Sequence, residues 1–501
     1  MKHKLRLLVL LISSLSFSQV QIGQDIDGES AGDFSGRSIS LSSDGSIVAI
    51  GASNAKGYDA NGNLGSTGHV RIYENQSGTW SQIGQDIDGD VSGDNSGFKI
   101  SLSSNGSIVA ISCPIHNGNG GTLSNSGHVR IYENQSGTWV QVGQDIDGEA
   151  TGDESGQSVS LSSDGSIVAI GATENVGYAQ SWQRPGHVRI YENQSGTWVQ
   201  IGQDIDGEGT GDESGFSVSL SSNGSSIAIG SILNDGNGGN SGHVRVYENQ
   251  SGTWVQVGQD IDGEATGDFS GRSISLSSDG SIVAIGANDN DGNGFGSGHV
   301  RIYENQSGTW VQIGQDIDGE SAGDNSGNSI SLSSDGSIVA IGAEANDGNG
   351  LSSGHVRVYE NQSGIWTQIG QDIDGEVAGD ALGYSVSLSS DSSSVAISAI
   401  SNDGNGINSG QVRVYDLSAL LSLNEFALSQ FKLYPNPTKN QFTIQLNTTT
   451  KLKSVYIYNN LGQLVLTSKK RTINSSKLAA GVYTVEIETT KGKASKKLII
   501  E

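Results

Sequence analysis

Between residues 20 and 416 apolar and polar side chains follow one pattern that repeats along the chain. In its first complete unit, Ser38-Ile39-Ser40-Leu41-Ser42 alternates with period two, and an Asp44-Gly45 pair then breaks the run. Ile47-Val48-Ala49-Ile50 follows without a polar residue, and a Gly-rich loop leads into Gly68-His69-Val70-Arg71-Ile72-Tyr73. An Asn-Gln-Ser-Gly turn separates this run from Trp80-Ser81-Gln82-Ile83. Period-two alternation, β-branched and aromatic content and Gly, Asn and Asp punctuation predict four short strands per unit. No segment has helical periodicity. The second strand is apolar on both faces, which suits a sheet packed between two neighbours.

The motif Ser-Leu-Ser-Ser-Asp/Asn-Gly-Ser places its Leu at 41, 102, 161, 220, 276 and 332, with a looser copy at 388. A four-stranded antiparallel unit recurring at this interval predicts the blades of a propeller. The two ends of the array are out of phase in a complementary way. Val20-Gln21-Ile22-Gly23-Gln24-Asp25-Ile26 is a fourth strand without the first three, and Gln411-Val412-Arg413-Val414-Tyr415 is a third strand without a fourth. Together they make one blade, and pairing them leaves no open edge. The expected fold over residues 19–416 is therefore an all-β, seven-bladed propeller with four-stranded blades, closed by its N-terminal strand.

The order Gly-x-Ser-Ile/Val-Ser-Leu, Val-Ala-Ile-Gly-Ala, Gly-His-Val-Arg-Ile/Val-Tyr resembles the FG-GAP repeat family, which includes the integrin α-chain propellers. The resemblance covers all seven units. Members of that family carry a calcium loop, Asp-x-Asx-x-Asp-Gly-x-x-Asp, between the first two strands. This chain has only Ser-Ser-Asp-Gly-Ser there, so that site is not expected.

Beyond Tyr415 the repeat stops. A connector over 417–428 leads to residues 429–501, where Tyr434-Pro435-Asn436-Pro437, Tyr458-Asn459-Asn460-Leu461-Gly462, Ala480-Gly481-Val482-Tyr483 and Lys496-Lys497-Leu498-Ile499-Ile500 stand in order. Alternating strands with Gly and Asn turns predict a small immunoglobulin-like β-sandwich. The same landmarks resemble the type A C-terminal sorting domain of the Bacteroidota type IX secretion system. The resemblance implies the type IX machinery as partner, passage across the outer membrane, and removal of the domain.

Composition adds a front end and a charge division. Lys2, Lys4 and Arg6 precede a short apolar run, Leu7–Ile12, and Ser16 and Ser18 offer small residues for cleavage. Residues 1–18 thus read as a secretory signal, too short to span a bilayer. Net charge is −27, but residues 418–501 hold twelve Lys or Arg against four Asp or Glu. Twelve basic and fifty acidic residues remain for 19–417. Such a body repels nucleic acid. Cys113 is the only cysteine, so no internal disulfide forms, and it stands where sister units carry Ala.

Candidate chemistry lies on loops. In an antiparallel blade the fourth-to-first connection and the second-to-third loop share one end, and both are acidic here. Asp145, Asp147 and Asp153 in the first kind, and Asp289, Asp291 and Asn293 in the second, resemble the opening of calcium loops with oxygen ligands at alternate positions. The competing reading is that these residues simply make tight turns. The recurrent His and Arg of the third strand read as structural. Gly350-Leu351-Ser352-Ser353-Gly354 matches a hydrolase string but has no helix behind it. Near-identical units lack the asymmetric constellation that catalysis needs, and first strands read mostly as Ser, Ile and Leu, so no enzyme is expected. Asymmetry appears in the longer second-to-third loops of the first three units, where Tyr58, Tyr178, Trp182 and Arg184, with Lys56 and His116, are candidate ligand contacts. The expected function is a secreted or surface binding protein of adhesion type for an extracellular protein or glycan. The alternatives are an extracellular carbohydrate-active enzyme and a structural surface-coat protein.

Overall fold

The computed structural model describes residues 19–58, 62–175, 184–421, 431–446, 451–459, 464–489 and 492–500. The expected signal at 1–18 lies outside them. The chain divides between Leu417 and Ser418 into two compact units.

The first unit contains seven antiparallel sheets built to one plan. In the first, Ser38–Leu41 pairs with Ile47–Ala52, which pairs with His69–Asn75, which pairs with Trp80–Gln82. The second and third strands are buried on both faces: Val48, Ala49, Val70 and Ile72 are no more than 1% exposed. Each interface joins one sheet to the first two strands of the next, as where Val70, Ile72 and Ile87 meet Ile100, Leu102 and Val109.

Why the first strand reads Ser-x-Ser is explained by its neighbours. Ser40 Oγ accepts the Leu102 N–H at 3.0 Å, and Ser101 accepts that of Leu161. Ser160, Ser219, Ser275 and Ser331 accept those of Leu220, Leu276, Leu332 and Leu388. Ser387 then accepts the Leu41 N–H at 3.0 Å, which completes the circuit. Innermost strands that cannot pair edge to edge are joined instead by hydroxyls, and buried N–H groups are satisfied.

The N-terminal residues close the seventh sheet. Val20 lies opposite Asp416 and Ile26 opposite Val412. The structure changes two details of the expected closure. The fourth strand is not continuous: Ile26–Asp27 forms its own two-residue strand on the third, as Ile87–Asp88 does in the first sheet, so the sheets are five-stranded. The break falls at Gly23 and its equivalents, where φ is +76° and a Cβ would lie 2.9 Å from the Trp80 ring. Only glycine fits under that indole. Val20 is 61% exposed despite its apolar side chain, and Ile26 at 4% carries the packing.

Trp80 is one of six such outer-strand residues. Its indole N–H donates to Ile22 O at 2.7 Å, while Gln24 bonds both its N–H and its C=O. Gln19 stands at the seventh junction and bonds Gln371 instead. Helix among the described residues of this unit's rim is limited to Gly118–Gly121, in the second sheet's loop.

The second unit is a β-sandwich of a three-stranded sheet (Phe431–Tyr434, Gln441–Leu446, Thr472–Asn474) and a four-stranded one (Leu464–Ser468, Leu452–Tyr458, Gly481–Thr489, Gly492–Ile500). Phe431, Phe442, Ile457, Val485 and Leu498 fill the space between them. Asn436 donates to Lys497 O and accepts from Ile499 N–H, which ties the Pro-Asn-Pro opening to the final strand.

Candidate functional site

In the acidic loops several carboxylates hold the backbone of their own turns. Asp153 is 1% exposed and accepts the Ala150 N–H at 2.7 Å. Asp33 and Asp94 do the same for Ser30 and Val91. Asp291 accepts the Gly296 N–H at 2.8 Å, and Asn293 donates to Gly319 O at 2.9 Å. Asp145 grips Arg130 with both oxygens, at 2.9 and 2.8 Å. These are the duties of turn residues.

Donor atoms of Asp145, Asp147 and His128 do lie within 4.8 Å of one another, and sister triplets such as Glu29–His69–Asp86 recur around the ring. Each adjoins a third-strand arginine. Arg71 is 3.3 Å from Glu29, donates to Asp27 O at 3.1 Å and lies over the Tyr73 ring. The guanidinium therefore supplies the positive charge these carboxylates require. Burial, and then the neighbouring arginine, push the His69, His187, His299 and His355 rings down to about 4, so they are neutral at pH 7.

The candidate binding residues separate. Tyr178 and Trp182 lie outside the described residues. Tyr58 is 64% exposed on a two-strand hairpin, Gly57–Tyr58 with Leu64–Gly65. Arg184 is paired with Glu174. In the second sheet His116 packs on His128 with ring centroids 4.0 Å apart and bonds Asp94 at 3.0 Å. Burial alone would lower the His116 pKa, but the Asp94 bond outweighs it and raises the ring above its ordinary value. A rim hollow of about 620 Å³ opens beside it, lined by Asp90, Asp94, His116, Arg130 and Asp145. Its charged groups already satisfy one another, since Arg130 also pairs with Asp90.

The site that sequence reasoning missed is the channel mouth on the same rim. The residue after the glycine that opens each first strand lines it, and this position varies from unit to unit. Arg37, Phe98, Gln157, Phe216, Arg272, Asn328 and Tyr384 occupy it, and Lys99 replaces the adjoining Ser of the six sister units. Together they line a cavity of about 300 Å³. This adds a polar, aromatic mouth to first strands that read mostly as Ser, Ile and Leu. Ser, Ile and Val of the first strands join six of the mouth residues around a further 230 Å³, and their Leu residues ring another cavity with Ser.

Two guanidinium–aromatic stacks face this space. Arg37 lies 4.6 Å from the Phe98 ring centre and 6.0 Å from that of Tyr384. Arg272 lies 5.0 Å from that of Phe216, and its Nε donates to Asn328 Oδ1 at 3.2 Å. Such stacking holds a guanidinium in place while leaving its edge N–H groups free. The Lys99 side chain is open to the lumen although protein surrounds it. Desolvation, with the charges of Arg37 and Arg272, pulls its pKa down to about 8. Asn328 also donates to Glu344, whose carboxyl burial pushes up to about 7 against the pull of Arg272, with Asp289 adding to the rise.

A stability test follows from Glu344. Its folded pKa stands above its ordinary value of 4.5, so between about 4.5 and 7 the native state holds a proton the unfolded state has lost. Stability therefore falls as pH rises through that window. Each tenfold difference in proton affinity between the two states is worth about 1.4 kcal/mol. Glu344→Gln should therefore raise the melting temperature by a few degrees at pH 8 and leave it unchanged at pH 4. Melting curves across that range check it, and an equal difference at both ends would refute the assignment.

Comparison with known proteins places the back of the chain. Residues 432–501 match the secretion system C-terminal sorting domain, a type IX tail that addresses proteins for export to the cell surface or the medium. No curated protein matches the chain. Among solved structures, a Bacteroides uniformis ATCC 8492 protein provisionally described as a 6-phosphogluconolactonase is similar at TM-score 0.45 and 15% identity, over 68% of this chain and 86% of that one. No helix among the described residues is long and apolar enough to cross a membrane.

Proposed function

We propose that the chain is an exported binding protein, with an FG-GAP-like propeller as receptor and the sorting tail as address, and that its ligand enters the channel mouth. One observation carries this reading: the residues that follow the opening glycine of the first strands differ from unit to unit and converge, with Lys99, on one cavity. Aromatic and arginine side chains held rigidly at a concave mouth are the material of binding hot spots.

The test is a thermal-shift screen of the full chain against saccharides, small acids and peptides, run beside Phe98→Ala/Phe216→Ala. Ligands should raise the melting temperature of the native chain by linkage, and the double variant should lose at least tenfold in affinity for them. Hits that bind both proteins equally would move the site elsewhere.

Glu344 favours a second reading, a carbohydrate-active enzyme in which this carboxyl, half-protonated near pH 7, acts as a general acid. Turnover of a bound saccharide, abolished by Glu344→Gln, would distinguish it from binding alone.

A further inference from the structure

The acidic domain contains twelve basic residues, and their pairing divides them. All seven third-strand arginines meet a carboxylate, from Arg71 with Glu29 to Arg413 with Glu376, and Arg184 meets Glu174. Lys56 is exposed to solvent on its loop. Arg37, Lys99 and Arg272 differ from both groups: they face a cavity, and among the described residues none of them has an acidic oxygen within 4.0 Å. With fifty carboxylates on the same domain, three unpaired cations facing one cavity are the exception.

Like charges held together with no carboxylate in direct contact raise the energy of the empty site, and the depressed Lys99 pKa reflects the repulsion of Arg37 and Arg272 on top of desolvation. An anion bound between them relieves it. Around the cations stand neutral groups suited to hydroxyls: the Gln157 and Asn328 amides and the Tyr384 phenol. The Phe98 and Phe216 rings add apolar surface, and about 300 Å³ suits a ligand near the small end of the range for binding pockets.

Resting on the channel-mouth reading above, we propose that this cavity binds a carboxylated sugar, free or at the end of a glycan. Arg37, Lys99 and Arg272 hold its acid group, and Gln157, Asn328 and Tyr384 meet its hydroxyls. The acidic rim repels anions only within a Debye length, about 8 Å in physiological salt, so affinity comes from short-range guanidinium–carboxylate hydrogen bonds rather than from steering.

The internal repeats supply variants that the fold already accepts. Lys99→Ser installs the residue of six sister units, and Arg37→Asn/Arg272→Asn installs that of Asn328. Calorimetry on the full chain would compare glucuronate, gluconate, glucose and inorganic phosphate. Glucuronate or gluconate should bind at least tenfold tighter than glucose and than phosphate. Lys99→Ser should lose about fivefold and the arginine pair at least fiftyfold, with melting temperatures held within a few degrees. Glucose binding as tightly as glucuronate overturns the proposal, as does unchanged affinity in the arginine pair. Phosphate binding as tightly as the sugar acids overturns it in favour of a bare anion site. Should sugar acids fail while other ligands bind and are lost in Phe98→Ala/Phe216→Ala, this proposal falls and the binding reading stands. If nothing binds at the mouth, both fall.

Discussion

Truncated after Leu428 and expressed in its native host with residues 1–18 intact, the chain is expected to fold its propeller and accumulate in the periplasm. The reason is a division of labour. The matched residues 432–501 form a sandwich with its own core around Phe442 and Leu498, and the division between units falls at Leu417. Removing the sandwich therefore leaves the propeller's circuit of serine bonds and its closing strand intact. Conversely, residues 418–501 fused behind a signal peptide and a fluorescent protein should carry that cargo out of the cell. Fractionation and immunoblotting measure both, and the expected change in extracellular protein is near complete. Mass spectrometry of the mature protein should find Glu501 absent. Export of the truncated chain at the native level would separate this tail from the route its family implies.

The strands, their order and the phase of closure were legible because they rest on period-two alternation and turn residues, both local features. The complementary fragments at Val20–Ile26 and Gln411–Tyr415 pair as the pattern required. The break in the fourth strand was legible only in part: Gly23 stood in plain view, but the reason for it, the indole of Trp80 from the next sheet, is a contact between residues far apart in the chain. The site was harder to read. Its signal is a single position, the residue after the opening glycine, and reading each unit in isolation hides it. Alternation tells which face a side chain takes, but not that the residue at one end of each first strand meets the others across the lumen. The acidic loops are ambiguous for the opposite reason. Asp153 and Asp291 look like ligands in sequence, and only the N–H groups of Ala150 and Gly296 show what they hold.

The second large effect concerns closure. Deleting residues 19–28 should leave the third strand of the seventh sheet, Gln411–Asp416, without an outer partner. Ile26 alone, 4% exposed, forfeits about 1.5–3 kcal/mol of burial. The loss spreads to the first sheet, because the Trp80 indole N–H loses Ile22 O and its backbone loses Gln24. A buried donor left without a partner costs about 1–3 kcal/mol more. Together these approach the roughly 5–15 kcal/mol that typically holds a domain. The deleted chain should melt at least 10 °C lower, or pair its bared edge with another copy. A peptide of residues 19–28 added in trans should restore both the melting temperature and the monomer, because the edge it fills is otherwise intact. In that peptide Ile26→Ala should weaken rescue far more than Val20→Ala, since Val20 faces solvent. A deleted chain that stays monomeric and melts with the full-length protein would show that the seventh sheet does not need its N-terminal strand.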